Sequence, residues 1–529
     1  MRFSSRIARS AAVGALTAAA LTAAAGSAAA GTGGGGPGRT LVVAHRGPSA
    51  SKVGACATAP YATIGAAVSA ANPGDTVLVC PGTYPEDVWV SKAISLVGNK
   101  ANINATGLLN GILISSSHVT VSGFTVTGAL TEGILAEPYG PLNWPHPPPI
   151  TEAGQARVPI TNVSIENNIV NANDQGGDPI THQCAPPLYE GDCGGGLHLN
   201  TVANSLVRGN VVINNDDGIL VTDDVGPTHG NTIADNYVAH NIYECGIVLP
   251  SHNPFSVTAT SQNGITYTVG APTPATGGIF GNLVINNSAI DNGSVVVPPF
   301  GGAGSGIGIF APGPGMASYD NTVAGNVIRG SGQAGFTIHA HYTGGEYVSG
   351  NQVLNNTFGT NNNGGDGLDG PGTDPDFLTT AVLVFSAEPT TIAIAGNKIQ
   401  GDHTGVWLSA NIAASGLGTN VITGAAAPVY VSHVPYAFSQ PIDTTAATAT
   451  VGVLVVPNGL STEYFVEYGT TNTPYAMHTA VVTGLTGTAP VLALVNLPGL
   501  VTGTTYHFQV VATNGAGTTQ SGDQVFTAT

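Results

Sequence analysis

The chain has 529 residues, only 8% of them are charged, and the formal net charge is −18. Nucleic acids and anionic membrane surfaces are bound through basic patches, so this composition argues against both as partners. Glycine is abundant, with 74 copies, and threonine and asparagine are plentiful, which suits extracellular β architecture.

The first thirty residues have the pattern of a targeting signal. Arg2, Arg6 and Arg9 precede an Ala/Leu-rich run that ends in the small residues 28–30, as in a cleavable secretory signal peptide. No later segment is apolar enough to span a membrane. We therefore predict a secreted, soluble protein with a signal peptide at 1–30 and a Gly-rich linker at 31–39.

The five cysteines fit an oxidising compartment. We predict two disulfides, Cys56–Cys80 around a cap segment and Cys184–Cys193 around a Pro-rich loop, while other pairings stay open. Cys245 is left over and is predicted to be buried and reduced. No zinc-type spacing is present.

Residues 58–72 carry alanine at helical spacing before Asn72-Pro73-Gly74. This pattern predicts a short helix that covers the open end of a repeat array.

Ten segments then repeat a pattern of Gly, apolar, variable, apolar, in which alanine or proline twice replaces the glycine. Alternation of period two predicts strands with one buried face, and a repeat of about 22 to 30 residues predicts a solenoid of stacked coils. The segments are Gly111-Ile-Leu-Ile, Gly133-Ile-Leu-Ala, Gly196-Leu-His-Leu, Gly218-Ile-Leu-Val, Gly246-Ile-Val-Leu, Gly306-Ile-Gly-Ile, Gly335-Phe-Thr-Ile, Ala381-Val-Leu-Val, Gly405-Val-Trp-Leu and Pro428-Val-Tyr-Val.

An asparagine recurs further along the coils and is predicted to form one corner column, whose side-chain amides hydrogen-bond from coil to coil. The members are Asn168, Asn210, Asn236, Asn282, Asn326, Asn351, Asn397 and Asn420. Several short strands per coil, with Gly and Asn at the corners, predict a right-handed parallel β-helix.

These repeats resemble those of the pectin-lyase-like superfamily, and residues 61–86 with Ile94-Ser-Leu-Val-Gly are similar to the cap and first coil of many secreted β-helix proteins. The resemblance covers roughly residues 40–437 and implies the fold, but lyases, hydrolases, epimerases and surface proteins share it. Insertions are predicted at 138–160, 173–194, 250–275, 292–304 and 360–378. Gln262-Asn263-Gly264-Ile265 predicts a hairpin within the third.

The pattern changes near residue 441. Residues 458–471 and 500–517 resemble a bacterial fibronectin type III domain, in which Tyr506 would be the corner tyrosine. We predict a linker at 438–444 and a β-sandwich at 445–529. The predicted fold class is therefore all-β, a parallel β-helix with an N-terminal cap at 40–437 followed by a small sandwich.

In a β-helix the variable positions between the apolar ones point outward, so the outer face can be predicted column by column. Stacked coils place a polar stripe on that face, made of Glu137, His198, Asn200, Thr222, Asp223, Asp224 and His252. His339 and His341 extend the stripe, and Trp407 and Tyr430 add an aromatic platform.

Carboxylates and histidines transfer protons, amides bind hydroxyls and aromatic rings stack on sugar faces, so the stripe has the composition of a carbohydrate groove. An ordinary solvated outer face would also be polar. On the first interpretation the catalytic candidates are Glu137, Asp223, Asp224, His198 and His339. The substrate-binding candidates are Asn200, Thr222, His252, His341, Trp407 and Tyr430.

A hydrolase needs two carboxylates, which Glu137 with Asp223 or Asp224 would supply. A lyase acting on uronates must neutralise the substrate carboxylate. None of the coil cations falls in the stripe, so a lyase would need Ca²⁺ held by Asp223 and Asp224. These cations are Arg157, Arg208, Arg329, Lys100 and Lys398. Apart from this possible Ca²⁺, no cofactor is implied.

Two functions stay open. The first is a secreted monomer that binds and cleaves a polysaccharide or cell-wall glycan along the stripe, by hydrolysis before cation-assisted lyase or epimerase chemistry. The second is a non-catalytic surface or matrix protein that uses the β-helix as a rigid adhesion rod. A walled cleft with Glu137 and Asp223 or Asp224 on one face would favour the first.

Overall fold

The structure, a computed structural model, describes most of the chain after residue 37. The described residues are 38–45, 54–140, 158–174, 195–252, 258–262, 265–269, 277–297, 301–313, 315–341, 346–366, 378–444 and 448–529. The predicted signal peptide, most of the Gly-rich linker, Cys184 and Cys193 lie outside these ranges. Among the described residues no helix is long and apolar enough to cross a membrane.

The N-terminal end of the solenoid is covered by a short helix, Ile64–Ala70, preceded by a 3₁₀ turn at Gly54–Thr58. The Thr63 hydroxyl accepts a hydrogen bond from the Ala66 amide, and Glu86 accepts from two further first-turn amides at 2.9 Å. At the other end Lys92 donates to the carbonyls of Ser69 and Ala71. Charges of the favourable sign therefore stand at both ends, and the predicted capping helix is confirmed.

The predicted Cys56–Cys80 disulfide is also confirmed, with the two Cα atoms 5.9 Å apart. Cys245 is buried, and its sulfur accepts a hydrogen bond from the Ser305 amide at 3.3 Å.

Eleven parallel strands stack into what we call the front sheet. Its register pairs the first apolar residues of all ten predicted segments, from Ile112 through Ile219 and Phe336 to Val429, so the alignment made on the sequence is confirmed. The strands are Val88–Val90, Ile112–Ile114, Ile134–Ala136, Gly195–Asn200, Asp217–Thr222, Ile247–Pro250, Ile307–Phe310, Phe336–Ala340, Thr380–Ser386, Thr404–Ser409 and Ala427–Ser432.

The remaining sides of the coils form a 21-stranded sheet, here the long sheet, and a small corner sheet. The long sheet holds Thr40–Val43, Thr76–Val79, Gly82–Tyr84, Ser95–Asn104, Thr120–Thr127, Ser164–Glu166, Ile169–Asn171, Leu206–Arg208, Val211–Ile213, Thr232–Ala234, Tyr237–Ala239, Leu283–Ile285, Ser288–Ile290, Thr322–Ala324, Val327–Arg329, Asn351–Leu354, Thr357–Phe358, Thr390–Ala395, Lys398–Gln400, Ile412–Ser415 and Val421–Thr423. The corner sheet holds Ile160–Thr161, Val202–Ala203, Thr228–His229, Ile279–Phe280 and Ser318–Tyr319.

Inside these sheets one continuous apolar core runs from Leu41 to Leu408. Two antiparallel hairpins project from the coils, Thr258–Gln262 with Ile265–Val269, as predicted, and Val296–Val297 with Gly301–Gly302. A 3₁₀ turn at Leu417–Thr419 lies in the last coil.

The asparagines form three ladders rather than the single predicted column. In the first, each rung's backbone amide and side-chain Nδ2 both donate to the Oδ1 of the next rung, as Asn236 does to Asn287 at 3.0 and 2.9 Å. Its rungs are Asn168, Asn210, Asn236, Asn287, Asn326, Asn356, Asn397 and Asn420. The second contains Asn173, Asn215, Asn241 and Asn292, and the third contains Asn231, Asn282, Asn321 and Asn351.

Asn282 and Asn351 were therefore assigned to the wrong corner. The reason is that each type of corner uses the same local chemistry, a residue with positive φ followed by the rung. Asp235 precedes Asn236 at φ 56°, and Gly281 precedes Asn282 at φ 62°. Short sequence patterns consequently cannot distinguish one corner from another.

The ladders also explain the glycine that opens the front-sheet strands. A Cβ at Gly218 would lie 2.9 Å from the Asn241 Nδ2, and one at Gly246 would lie 2.6 Å from the Asn292 Nδ2. Both separations are too short for a real contact, so the second ladder requires glycine at these positions.

Further along the corner of the second ladder, an aspartate takes the place of an asparagine. This residue is Asp402, whose Oδ1 accepts a hydrogen bond from the Asn361 backbone amide at 2.7 Å. Asp402 is 2% exposed, and burial raises its pKa to about 7. Between pH 4 and 7 Asp402 keeps its proton in the folded chain and loses it in the unfolded chain. The free energy of unfolding therefore decreases as the pH rises through this range.

Asp402→Asn should remove this dependence and stabilise the protein at pH 9 by on the order of 2–4 kcal/mol. Melting temperatures of both proteins between pH 4 and 9 test this. Asp235→Asn, an exposed change, should leave the pH profile as it is. Parallel profiles for wild type and Asp402→Asn would contradict the assignment.

The C-terminal region forms two antiparallel sheets around a separate apolar core, as expected of a β-sandwich. The first sheet holds Tyr436–Thr444, Thr448–Val456 and Val491–Pro498, and the second holds Thr462–Gly469, Met477–His478, Val482–Leu485, Thr505–Thr513, Thr518–Gln520 and Gln524–Thr527. The Val501 amide donates to the Tyr506 hydroxyl at 3.1 Å, the contact a corner tyrosine makes. The all-β fold class is confirmed, while the type III assignment stays a prediction.

The segment predicted as a linker, 438–444, belongs to the strand Tyr436–Thr444, which pairs with Thr448–Val456. The change of pattern near residue 441 suggested a break between the domains, but the neighbouring strand supplies the backbone hydrogen bonds. The sandwich packs directly on the last coils: Tyr436 donates to the His341 carbonyl and Asn514 to the His433 carbonyl, both at 2.8 Å.

Candidate functional site

The front-sheet register brings together outward-pointing residues that lie far apart in sequence. Asn200 pairs with Thr222, and His198 lies between Leu135 and Leu220 in the neighbouring row. Polar side chains gather at this end of the sheet in what we call the carboxylate–histidine cluster. It consists of Glu132, Glu137, His198, Asn200, Thr222, Asp224 and His252.

A chain of hydrogen bonds runs across the cluster. His198 Nδ1 lies 3.2 Å from Glu132 Oε1, and its Nε2 lies 2.8 Å from Thr222 Oγ1. Thr222 donates to Asp224 Oδ2 at 3.2 Å, and Asp224 Oδ1 lies 2.8 Å from His252 Nδ1. The two ring nitrogens of His198 thus connect Glu132 on one side with Thr222 and Asp224 on the other.

Glu137 is held at the edge of this chain, where Asn200 Nδ2 donates to its Oε2 at 3.3 Å. Its side chain is 5% exposed. Burial, followed by the nearby charge of Glu132, raises the pKa of Glu137 to about 8. The carboxyl group therefore carries a proton at neutral pH.

Asp224 stands in a different environment. Its side chain is 34% exposed and that of its partner His252 is 33% exposed, so this pair forms the solvent-facing end of the cluster. The charge of Asp224 is a minor contribution to the raised pKa of Glu137, after burial and the charge of Glu132. A protonated acid and a solvated carboxylate thus lie on one face.

Asp223, a predicted catalytic residue, is placed differently from Asp224. It is 0% exposed, its Oδ1 accepts from the His252 amide at 2.7 Å, and its Oδ2 accepts from Ser251 and the Gly278 amide at 3.0 Å. Burial outweighs these bonds and raises its pKa to about 7. Asp223 anchors the segments that carry His252 and Gly278, and its predicted catalytic role stays a prediction.

The Asp223 oxygens face protein donors, and the calcium site at Asp223 and Asp224 stays a prediction. Among the described residues no group of three or more His, Cys, Asp or Glu side chains is arranged to hold a metal ion. The described front-sheet strands also contain no lysine or arginine. Arg208, for example, lies on the long sheet and pairs with Glu166.

Glu132 was missed by the sequence analysis. In a strand with period-two alternation, residue 132 would point inward like Ile134. The chain bends at Gly133 instead, and the Glu132 carboxylate contacts His198 on the outer face. A carboxylate directly before the repeat glycine was the available signal.

His339 and His341 do not belong to the cluster. Along the row that contains Thr222, Pro250 and Phe310 come before His339. His339 Nε2 instead lies 3.1 Å from Asp366 Oδ2, and the His341 ring stacks on Phe385 at 4.8 Å. The predicted stripe is therefore divided into two sites.

The predicted aromatic platform is also changed. Trp407 is 1% exposed and packs with Leu383 and Phe385, with Tyr430 and Tyr436 against them. Tyr436 comes from the first strand of the sandwich, so the sandwich covers this part of the front sheet. Trp407 offers no ring face to a glycan.

No protein-family model matches the sequence, and no curated protein matches it. Among solved structures, the chain is similar to the A-module of Azotobacter vinelandii mannuronan C-5 epimerase AlgE4, with 15% identity, 70% of this chain and 93% of that chain covered, and a TM-score of 0.41. It is similar to the enzymatically active domain of Bacteriophage CBA120 tailspike protein 2, with 11% identity, 88% and 73% coverage, and a TM-score of 0.40. The pectin methylesterase of Aspergillus niger matches at 14% identity, 63% and 89% coverage, and a TM-score of 0.27. These TM-scores are all below 0.5, so the β-helix fold is assigned from the strand register of this chain alone.

Proposed function

We propose that this chain is a secreted carbohydrate-active protein that binds a polysaccharide at the carboxylate–histidine cluster and cleaves it by hydrolysis. The observation that carries the proposal is the pair of carboxyl groups in unlike surroundings on one face. Glu137 is buried and protonated, and Asp224 is solvated and hydrogen-bonded by Thr222. Two carboxyl groups that differ in this way are what glycoside hydrolysis requires.

In this mechanism Glu137 donates its proton to the glycosidic oxygen as the bond from that oxygen to the anomeric carbon breaks. Asp224 faces the positive charge that develops on the sugar ring. It either takes a proton from the attacking water or attacks the carbon itself before water releases the sugar. His252 holds Asp224 in position through the 2.8 Å contact between Nδ1 and Oδ1, and Asp223 positions His252 through its backbone amide.

Lyase or epimerase chemistry on uronates is less well supported. It would need a positive charge next to the substrate carboxylate, and the described part of the cluster offers only histidines for this purpose. The alternative of a non-catalytic adhesion rod remains the competing proposal, because a buried hydrogen-bonded chain such as Glu132–His198–Thr222 also stabilises a structure.

The test is the activity of the chain from Gly31 onward on plant, algal and microbial polysaccharides, with Ca²⁺ and with a chelator. New reducing ends without absorbance from unsaturated uronates would support hydrolysis. Absorbance that disappears with the chelator would support a cation-assisted lyase. Neither signal from the folded protein, together with retained binding to one glycan, would favour the adhesion rod.

A further inference from the structure

A cavity of about 470 Å³ lies where the front sheet meets the sandwich. Phe310, His339 and His341 form its front-sheet wall, and Tyr436 and Phe438 of the first sandwich strand form the opposite wall. The volume lies within the usual range for a small-molecule site. Both parts of the structure are therefore needed to complete the cavity.

The cavity is separate from the carboxylate–histidine cluster. His339 lies three strands beyond Thr222 in the front sheet, a distance of about 14 Å at the usual strand spacing. Pro250 and Phe310 stand between them in the same row, and Leu220 and Val248 of the neighbouring row are buried with Cys245. A ligand in the cavity does not touch the proposed catalytic pair.

The charges around the cavity match neither an anion nor a cation. The buried carboxylate of Asp366 is paired with the lining residue His339 at 3.1 Å. Glu244 is exposed and stands among the lining residues, which include no lysine or arginine within the described part of the chain. An anion would meet no lysine or arginine, and the one exposed carboxylate attracts a cation weakly because water screens it.

The rest of the lining combines aromatic rings and a few hydrogen-bonding groups with the small apolar residues Cys245, Ala303 and Pro312. The Phe310 and His339 rings pack edge to face at 5.4 Å, and His341 is fixed by stacking on Phe385. Gln333 adds a side-chain amide to the lining. Rigid ring faces beside a few amide and imidazole groups suit a neutral ligand with one apolar face and several hydroxyls.

We propose that this cavity binds one neutral sugar residue, held between the front-sheet rings and the sandwich strand. This binding site goes beyond the proposed hydrolysis and does not depend on it, because a free monosaccharide has no glycosidic bond to cleave. Occupancy would also hold the sandwich against the solenoid, since Tyr436 and Phe438 contribute one wall.

Ligand-observed saturation-transfer NMR with the chain from Gly31 onward tests the proposal. The probes are the neutral sugars glucose, galactose, mannose and xylose, with glucuronate and glucosamine as charged counterparts. We expect transfer to at least one neutral sugar and at least tenfold weaker binding after Ala303→Trp, which fills the cavity from a half-exposed lining position.

Phe310→Ala, at the half-buried front wall, gives a second variant in case the tryptophan disturbs folding, and circular dichroism with melting curves checks both. Glu137→Gln should bind the sugar as wild type does, which separates this site from the catalytic one. Transfer only to a charged sugar, transfer unchanged in both cavity variants, or no transfer to the folded protein would overturn the proposal.

Discussion

Glu137→Gln should lower the rate of polysaccharide cleavage by about 10²–10⁴-fold, the usual contribution of a general acid. Glutamine keeps the size of the side chain and can still accept the hydrogen bond that Asn200 donates, but it has no acidic proton to give to the leaving oxygen. The measurement is the rate of reducing-end release on the substrate that the wild-type protein cleaves. A variant that retained most of the activity would remove Glu137 from the mechanism.

The pH profile supplies a second readout of the same group. Since the pKa of Glu137 is raised to about 8, the acid is protonated below that pH, and activity should fall as pH rises through it. The raised value also means that folding favours the protonated form, so the wild type loses stability as pH rises from the ordinary glutamate range through 8. Glu137→Gln should therefore be inactive yet at least as stable as wild type at pH 9.

Glu166→Gln is the matched control. Glu166 lies on the long sheet, where it pairs with Arg208 at 2.6 Å near solvent. Its substitution should alter neither the activity nor the decrease of activity at high pH. Loss of activity in both variants would point to a general effect of removing carboxylates rather than to a role of Glu137.

Asn287→Ala should destabilise the solenoid by about 3–5 kcal/mol, because several buried polar groups would lose partners at about 1–3 kcal/mol each. The Asn287 Oδ1 accepts from both the backbone amide and the Nδ2 of Asn236. Its own Nδ2 donates to the Ile233 carbonyl and to Asn326 Oδ1. None of these groups can turn to water in the interior of a coil.

Chemical denaturation followed by circular dichroism measures this effect, and the first unfolding transition is the one to compare because solenoids can unfold in parts. Asn99→Ala, at an exposed position of the long-sheet strand Ser95–Asn104, is the matched control and should cost less than about 0.5 kcal/mol. Equal losses in the two variants would mean that the ladder adds nothing beyond an ordinary surface asparagine.

Much of the fold followed from local pattern. The alternation in Gly218-Ile-Leu-Val and its nine relatives predicted both the strands and their register, and Ile219 and its equivalents do pair along the front sheet. Because side chains alternate between the two faces of a strand, only one register buries all the apolar residues. Shifting the register by one residue would turn all of them outward. For the same reason the sequence placed Glu137, His198 and Asn200 together on the outer face.

The sequence by itself thus determined the all-β class, the stacked coils, the cap and the composition of the outer face, while the Cys56–Cys80 bridge was one of several possible pairings until the structure established it. Only the tertiary structure decided which outward residues can act. It buried Asp223 and Trp407, turned Glu132 toward His198, and separated His339 from Thr222. The physical reason is that exposure and proton affinity depend on what covers a side chain. Coil corners, inserted segments and the sandwich strand at Tyr436 provide that cover from distant parts of the chain, which no local repeat encodes.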